Sequence, residues 1–266
     1  MAFDDDIALR PAGDGRFDAV VAEGWETPRG PLGGYVMALV LRAMEEAAGD
    51  PERQARTLNV HFLRPPHSGP VTIAATRERA GRSLSTVSAR MEQDGKAIAL
   101  ALAAFSKPWP GPLLDDAPMP EVAPPEDRGV SVGRAPGGRR PPPFLERMTM
   151  QRRFGDPPFS GADRAETGGW LGLREERPID AAVVAVLADA WFPAPWSRLR
   201  EFAPAPTVEM TVHFRAPLPQ PDGLLLGRFR TGLVRDGFFE EDGILWGRDG
   251  TLVAQSRQLG LLLGAS

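Results

Sequence analysis

The feature that most constrains this chain is that it repeats itself. Leu58-Asn-Val-His-Phe62 in the first half is answered by Met210-Thr-Val-His-Phe214 in the second, and a proline-bearing turn follows each. Further on, Asp94-Gly-Lys-Ala-Ile-Ala-Leu100 is answered by Asp249-Gly-Thr-Leu-Val-Ala254. The markers come in the same order and at similar separation, from His61 to Gly95 and from His213 to Gly250. One such match is within the reach of chance; two in order indicate a duplicated structural unit, and a repeat decides the fold before any local signal does.

Each unit has the same plan. A helix comes first, over Gly34 to Ala48 and again over Ile179 to Trp191, with apolar residues at three- and four-residue spacing such as Val36, Leu39, Val40 and Ala43. Strands follow. Val208, Met210, Val212 and Phe214 alternate with Thr207, Glu209, Thr211 and His213, the period of a half-buried strand. Val71 to Thr76 is a further strand, and Asp94-Gly95 between two apolar runs reads as a hairpin turn. A helix followed by an antiparallel meander, twice over, predicts an α+β fold. Between the units, residues 108–143 concentrate proline and glycine, including Pro108, Pro110, Pro112, Gly129, Gly133, Pro136, Gly137 and Gly138. Such a stretch sustains neither helix nor central strand. It divides the chain into a first unit at 1–107, a linker at 108–143 and a second unit at 144–266.

Composition narrows the chemistry. With no cysteine, disulfides, thiolate metal sites and a Cys nucleophile are all excluded. The only histidines are His61, His67 and His213, too few for a multi-histidine metal centre, so neither metal nor cofactor is expected. A net charge of −4 gives no footprint for nucleic acid. The acidic start, Met-Ala-Phe-Asp-Asp-Asp, is unlike an export signal, and the longest uncharged apolar run, Ala97 to Phe105, is far short of the ~20 residues that cross a bilayer. A cytoplasmic protein without a membrane partner is the expectation.

Gly30-Pro-Leu-Gly-Gly-Tyr-Val-Met-Ala-Leu39, followed by Leu58-Asn-Val-His-Phe-Leu-Arg-Pro65, resembles the N-terminal half of type II (TesB-like) acyl-CoA thioesterases. Thr207-Val-Glu-Met-Thr-Val-His-Phe-Arg-Ala-Pro217 and Asp249-Gly-Thr-Leu-Val-Ala-Gln-Ser-Arg-Gln-Leu-Gly260 resemble the C-terminal half. The likeness covers roughly residues 15–107 and 144–263. It implies a double hotdog, two antiparallel sheets each wrapping a central helix and joined by the Pro-rich linker. It also implies hydrolysis of acyl-CoA by a water held by a carboxylate, a hydroxyl and a carboxamide, with no covalent intermediate. Carried onto this sequence, the carboxylate falls on Asp189, the hydroxyl on Thr207 and the carboxamide on Gln258. Acyl-CoA is then the substrate partner, and assembly into a homo-oligomer is permitted rather than required.

Each residue has a plainer reading beside this one. Asp189 ends an apolar helix, where a carboxylate is either a solvated end group or a buried base with a raised pKa. Gln258 shares a strand face with Ala254, Ser256 and Gly260, small neighbours that leave room beside it. Superposing the repeats sets Ala103 against Gln258 and Ala55 against Thr207, so the polar pair belongs to the second half alone. A purely structural need would have placed it in both. His61 and His213 are equivalent, which favours structural hydrogen bonds over catalysis. Gly33 and Gly34 open the first helix, where free amides suit a thioester carbonyl or glycine serves a tight turn. Arg152 and Arg153, like Arg139 and Arg140, are candidates for CoA phosphates or simply solvated. Trp191, Phe192, Trp196, Phe238, Phe239 and Trp246 are enough aromatics for an apolar tunnel. Two other functions remain open: a hotdog hydratase or dehydratase, for which no Asp-His spacing is found, and a non-catalytic acyl-CoA-binding double hotdog. The periodicity shows no parallel sheet, which argues against an α/β-hydrolase.

Overall fold

The two copies of the Val-His-Phe strand meet. In the computed structural model, which describes residues 2–126, 141–221 and 223–264, β5 (Gln54–Phe62) lies antiparallel beside β11 (Thr207–Phe214), with Leu58 opposite Val212 and Val60 opposite Met210. This junction corrects the expectation of two sheets. Each unit would otherwise end in an unpaired strand edge, and pairing the two equivalent edges satisfies both rows of backbone groups. The result, among the described residues, is one 13-stranded antiparallel sheet.

The first half supplies β1 (Arg10–Gly13), β2 (Arg16–Val21), β6 (Gly69–Ala80), β7 (Leu84–Gln93) and β8 (Lys96–Ser106), ordered β1-β2-β6-β7-β8-β5. Two short strands, β3 (Glu26–Thr27) and β4 (Gly30–Pro31), pair apart from it. The second half continues from β11 through β15 (Leu252–Leu261), β14 (Phe238–Trp246), β12 (Leu225–Arg230) and β10 (Glu166–Leu173) to β9 (Met148–Gly155), with β13 (Val234–Arg235) flanking β14. Asp94 and Gly95, both at positive φ, make the expected two-residue turn between β7 and β8. The second Asp-Gly sits in a longer loop, closed by the Gly247 N–H on the Thr251 carbonyl at 2.8 Å.

Besides the short α1 (Phe3–Asp6), each half holds one helix against the sheet. α2 (Gly33–Ala48) matches its expected span and stops at Gly49, left-handed at φ 67°. α3 (Ala181–Asp189) is shorter than expected at both ends. Asp180 caps it, accepting the Val183 N–H at 2.9 Å, while Ile179 is drawn into a bridge with Gln220. Beyond Asp189 the chain turns into a short 3₁₀ helix, Ala194–Ser197, entered through Pro193. α2 and α3 touch closely because position 34 carries no side chain: a Cβ there would stand 2.8 Å from the Ala185 carbonyl oxygen and the Val186 Cα. Neither Gly33 nor Gly34 has a left-handed φ, so close packing rather than a tight turn explains these glycines.

Residues 107–126 form no helix or strand. They cross the face of the sheet away from α3, where Trp246 Nε1 donates to the Ala117 carbonyl and Trp170 Nε1 to that of Ala123, each at 2.9 Å. Met119 and Val122 pack on Trp170, Leu224, Leu226 and Trp246. Gly129, Gly133, Pro136, Gly137, Gly138, Arg139 and Arg140 lie outside the described residues. His61 and His213 stand exposed on the outer sheet face and make no side-chain hydrogen bond among the described residues, which corrects the structural role expected of them. No described helix is long and apolar enough to cross a membrane.

Candidate active site

Where the first turn of α2 meets the end of α3, a cavity of about 900 Å³ opens, and Asp189, Thr207 and Gln258 all face it. Three separate segments therefore deliver the three groups to one place. The wall is apolar, with Phe62, Phe144, Met150, Trp191, Phe192 and Trp196, and the mouth carries Arg29, Arg64 and Arg152, all exposed. Phe238, Phe239 and Trp246, expected as tunnel residues, lie elsewhere; Trp246 instead grips the 107–126 strap. Arg153 is also turned aside, donating to the carbonyls of Ala123 and Pro124. Among the described residues no histidine lines the cavity.

Asp189 is the last residue of α3, at the helix end where the backbone dipole disfavours negative charge. It faces the opposite end of α2. The Gly34 N–H donates to Asp189 Oδ2 at 2.7 Å, and the Gly33 amide also bonds the carboxylate. The Gly34 N–H is thus engaged by a carboxylate, a third role beside the free amide or tight turn that the sequence left open. Burial pushes the Asp189 carboxyl up to about 6, the two amides opposing the shift without cancelling it. The group is ionised at neutral pH yet close to giving and taking a proton.

Thr207 reaches the cavity through an irregularity. Strict alternation along β11 puts it on the outer face with His213. Thr207 pairs with Gly260 but Glu209 with the adjoining Leu259, a bulge that turns the Thr207 side chain inward. Its hydroxyl donates to Gln258 Oε1 at 2.8 Å. Gln258 is 7 % exposed and occupies the inner face of β15 as its small neighbours suggested. Its Nε2 donates to Glu241 Oε1 at 2.8 Å, and Glu241 Oε2 accepts the Ala194 N–H at 2.5 Å. Glu241 was missed in the sequence. A signal existed: Phe239, Glu241, Gly243 and Leu245 are alternate residues of one strand, and a carboxylate among inward-facing apolar and small residues needs an explanation. Burial, with the Asp189 charge nearby, pushes Glu241 up to about 7.

Both halves of the chain match domains of known proteins. The acyl-CoA thioesterase N-terminal domain matches residues 21–106, and the C-terminal domain of the same family matches residues 115–262. The chain belongs to the acyl-CoA thioesterase II (TesB-like) family. This thioester hydrolase is similar over 100 % of its length to 99 % of a hotdog-fold protein of unknown function from Alicyclobacillus acidocaldarius, at 31 % identity and TM-score 0.88. A putative thioesterase II from Thermobifida fusca YX is 29 % identical, covering 98 % of this chain and 97 % of that one with TM-score 0.81. An uncharacterised protein of Mycobacterium tuberculosis is 26 % identical over 92 % of this thioesterase and 90 % of its relative.

Proposed function

We propose that the protein hydrolyses acyl-CoA thioesters directly with water, Asp189 acting as general base and Thr207 and Gln258 fixing the water's orientation. The observation that carries this reading is the convergence of the three groups on one apolar-walled cavity, with Asp189 held near 6. The Thr207 proton is committed to Gln258, so the hydroxyl oxygen offers the cavity a lone pair. A water between Thr207 and Asp189 gives one hydrogen to each, leaving its own lone pair for the thioester carbonyl carbon. As the carbon–oxygen bond forms, Asp189 takes the proton. When the carbon–sulfur bond breaks, the same carboxyl returns it to the departing CoA sulfur, and free acid and thiol leave. No atom of the protein becomes bonded to the acyl group. The apolar wall accepts the acyl chain, and the arginines at the mouth suit the phosphates of CoA.

The test is thiol release from a panel of acyl-CoAs, short, long and aromatic, by the wild type beside Asp189→Ala. Release that collapses in the folded variant is the expected result. Release that survives removes Asp189 from the mechanism, and a wild type inert toward every thioester removes the hydrolytic reading.

A further inference from the structure

Resting on that reading, we propose that Glu241 is a positioning residue. Through Gln258 it fixes the direction of the Thr207 hydroxyl, so that Thr207 accepts from the water and does not donate to it. The chain of hydrogen bonds runs from Thr207 Oγ1 to Gln258 Oε1, from Gln258 Nε2 to Glu241 Oε1, and from the Ala194 N–H to Glu241 Oε2. Its far end is a backbone N–H, which only donates. A carboxylate at 241 accepts at both oxygens, so the Gln258 amide must present its NH2 to Glu241 and its oxygen to Thr207. Direction is therefore set by the ionised Glu241 and carried to the cavity. Reversal would aim the Thr207 proton at the water's lone pair, the electrons that must attack the carbonyl.

The repeat gives independent support. Glu241 lies opposite Gln258 in the sheet, and the equivalent pair in the first half is Val87 opposite Ala103. With Ala55 for Thr207, the whole polar chain is replaced by buried apolar residues, so the fold does not require it. The charged groups acting on Glu241 are Asp189 on α3 and Asp242 on its own strand, the latter exposed beside Arg257. The uncharged polar groups that meet it are Gln258 and the Ala194 amide. Both charged groups raise its affinity for a proton. A protonated Glu241 would donate to Gln258 and reverse the chain, as an amide at the same position would.

The experiment compares wild type with Glu241→Gln by steady-state thiol release from one acyl-CoA between pH 5 and 9. The amide's single oxygen is held by Ala194, its NH2 faces Gln258, and the chain reverses at nearly constant volume. Expected are a kcat lower by at least about ten-fold with KM within about two-fold, the scale of one lost orienting interaction. The acid limb of kcat should reflect two protonations in the wild type, Asp189 and Glu241, and one in Glu241→Gln. Thermal melting above pH 7 should show the variant no less stable than wild type. A variant within about two-fold of the wild-type kcat overturns the inference, as does a two-proton limb that persists in it. Were the variant not to fold, a one-proton limb in the wild type alone would overturn it. A wild type without thioesterase activity fails earlier, at the hydrolytic reading itself.

Discussion

Replacing Asp189 by asparagine should stabilise the protein while stopping the reaction. In the fold the Asp189 carboxyl is raised from 3.8 to about 6 by burial. At about 1.4 kcal/mol per pH unit, holding it ionised at pH 8 costs the folded state about 3 kcal/mol relative to the unfolded chain. The sign follows from the direction of the shift. Because the folded value is the higher, Asp189 adds no penalty below about pH 4, an increasing one as the pH rises from 4 to 6, and a constant one above. A carboxamide is neutral throughout and still accepts the Gly34 N–H. Asp189→Asn should therefore melt with wild type near pH 4 and above it at pH 8. With unfolding entropy near 2 cal/mol/K per residue over 266 residues, ~3 kcal/mol corresponds to about 5 °C. Parallel scanning calorimetry from pH 4 to 8 reads the difference, and thiol release should fall by about 100-fold or more in the same samples. A melting difference that does not change with pH would refute the buried-carboxylate argument. A less stable variant at pH 8 would refute it equally.

Other perturbations follow from the same geometry. Thr207→Val keeps the shape but removes the lone pair offered to the water, and should lower kcat about 100-fold with a melting temperature close to wild type. Gly34→Ala drives a methyl against the Ala185 carbonyl and Val186, so it should destabilise by roughly 1–3 kcal/mol in urea titration and displace Asp189, lowering kcat as well. Arg147→Ala leaves the buried Asp6 carboxylate without the cation 2.6 Å from it, and should cost about 3–5 kcal/mol without touching the cavity, leaving KM unchanged. Raising the pH of wild type from about 5 to 8 should switch the reaction on, as Asp189, near 6, and then Glu241, near 7, lose their protons.

The duplication made the fold legible because a repeated helix-and-meander unit admits few arrangements. The α2 span and the Asp94-Gly95 turn followed from local chemistry alone. The fusion of the sheets did not, since edge pairing between β5 and β11 is a long-range event with no signal in either strand. The inward position of Gln258 was legible, because its small neighbours on alternate positions mark the inner face. Thr207 was singled out through family likeness alone, because period two places that residue outside and the bulge that brings it in is set by pairing with β15. Gly33 and Gly34 were marked as special, but the cause, close approach of α3 and a carboxylate acceptor, depends on a helix about 150 residues away in the chain. Glu241 was readable in its strand pattern; its partners, Gln258 and the Ala194 amide, were not.

The claim at the centre is that Asp189 acts on water and never on the substrate carbon. A single turnover of acyl-CoA in heavy-oxygen water, with enzyme in excess and a parallel hydroxylamine trap that must capture no acyl–aspartyl anhydride, decides it. Base catalysis puts the label in the released acid during that first turnover and leaves Asp189 unlabelled. Label appearing in the Asp189 peptide, with an unlabelled acid, would mean that the carboxylate itself had attacked and that the account is wrong.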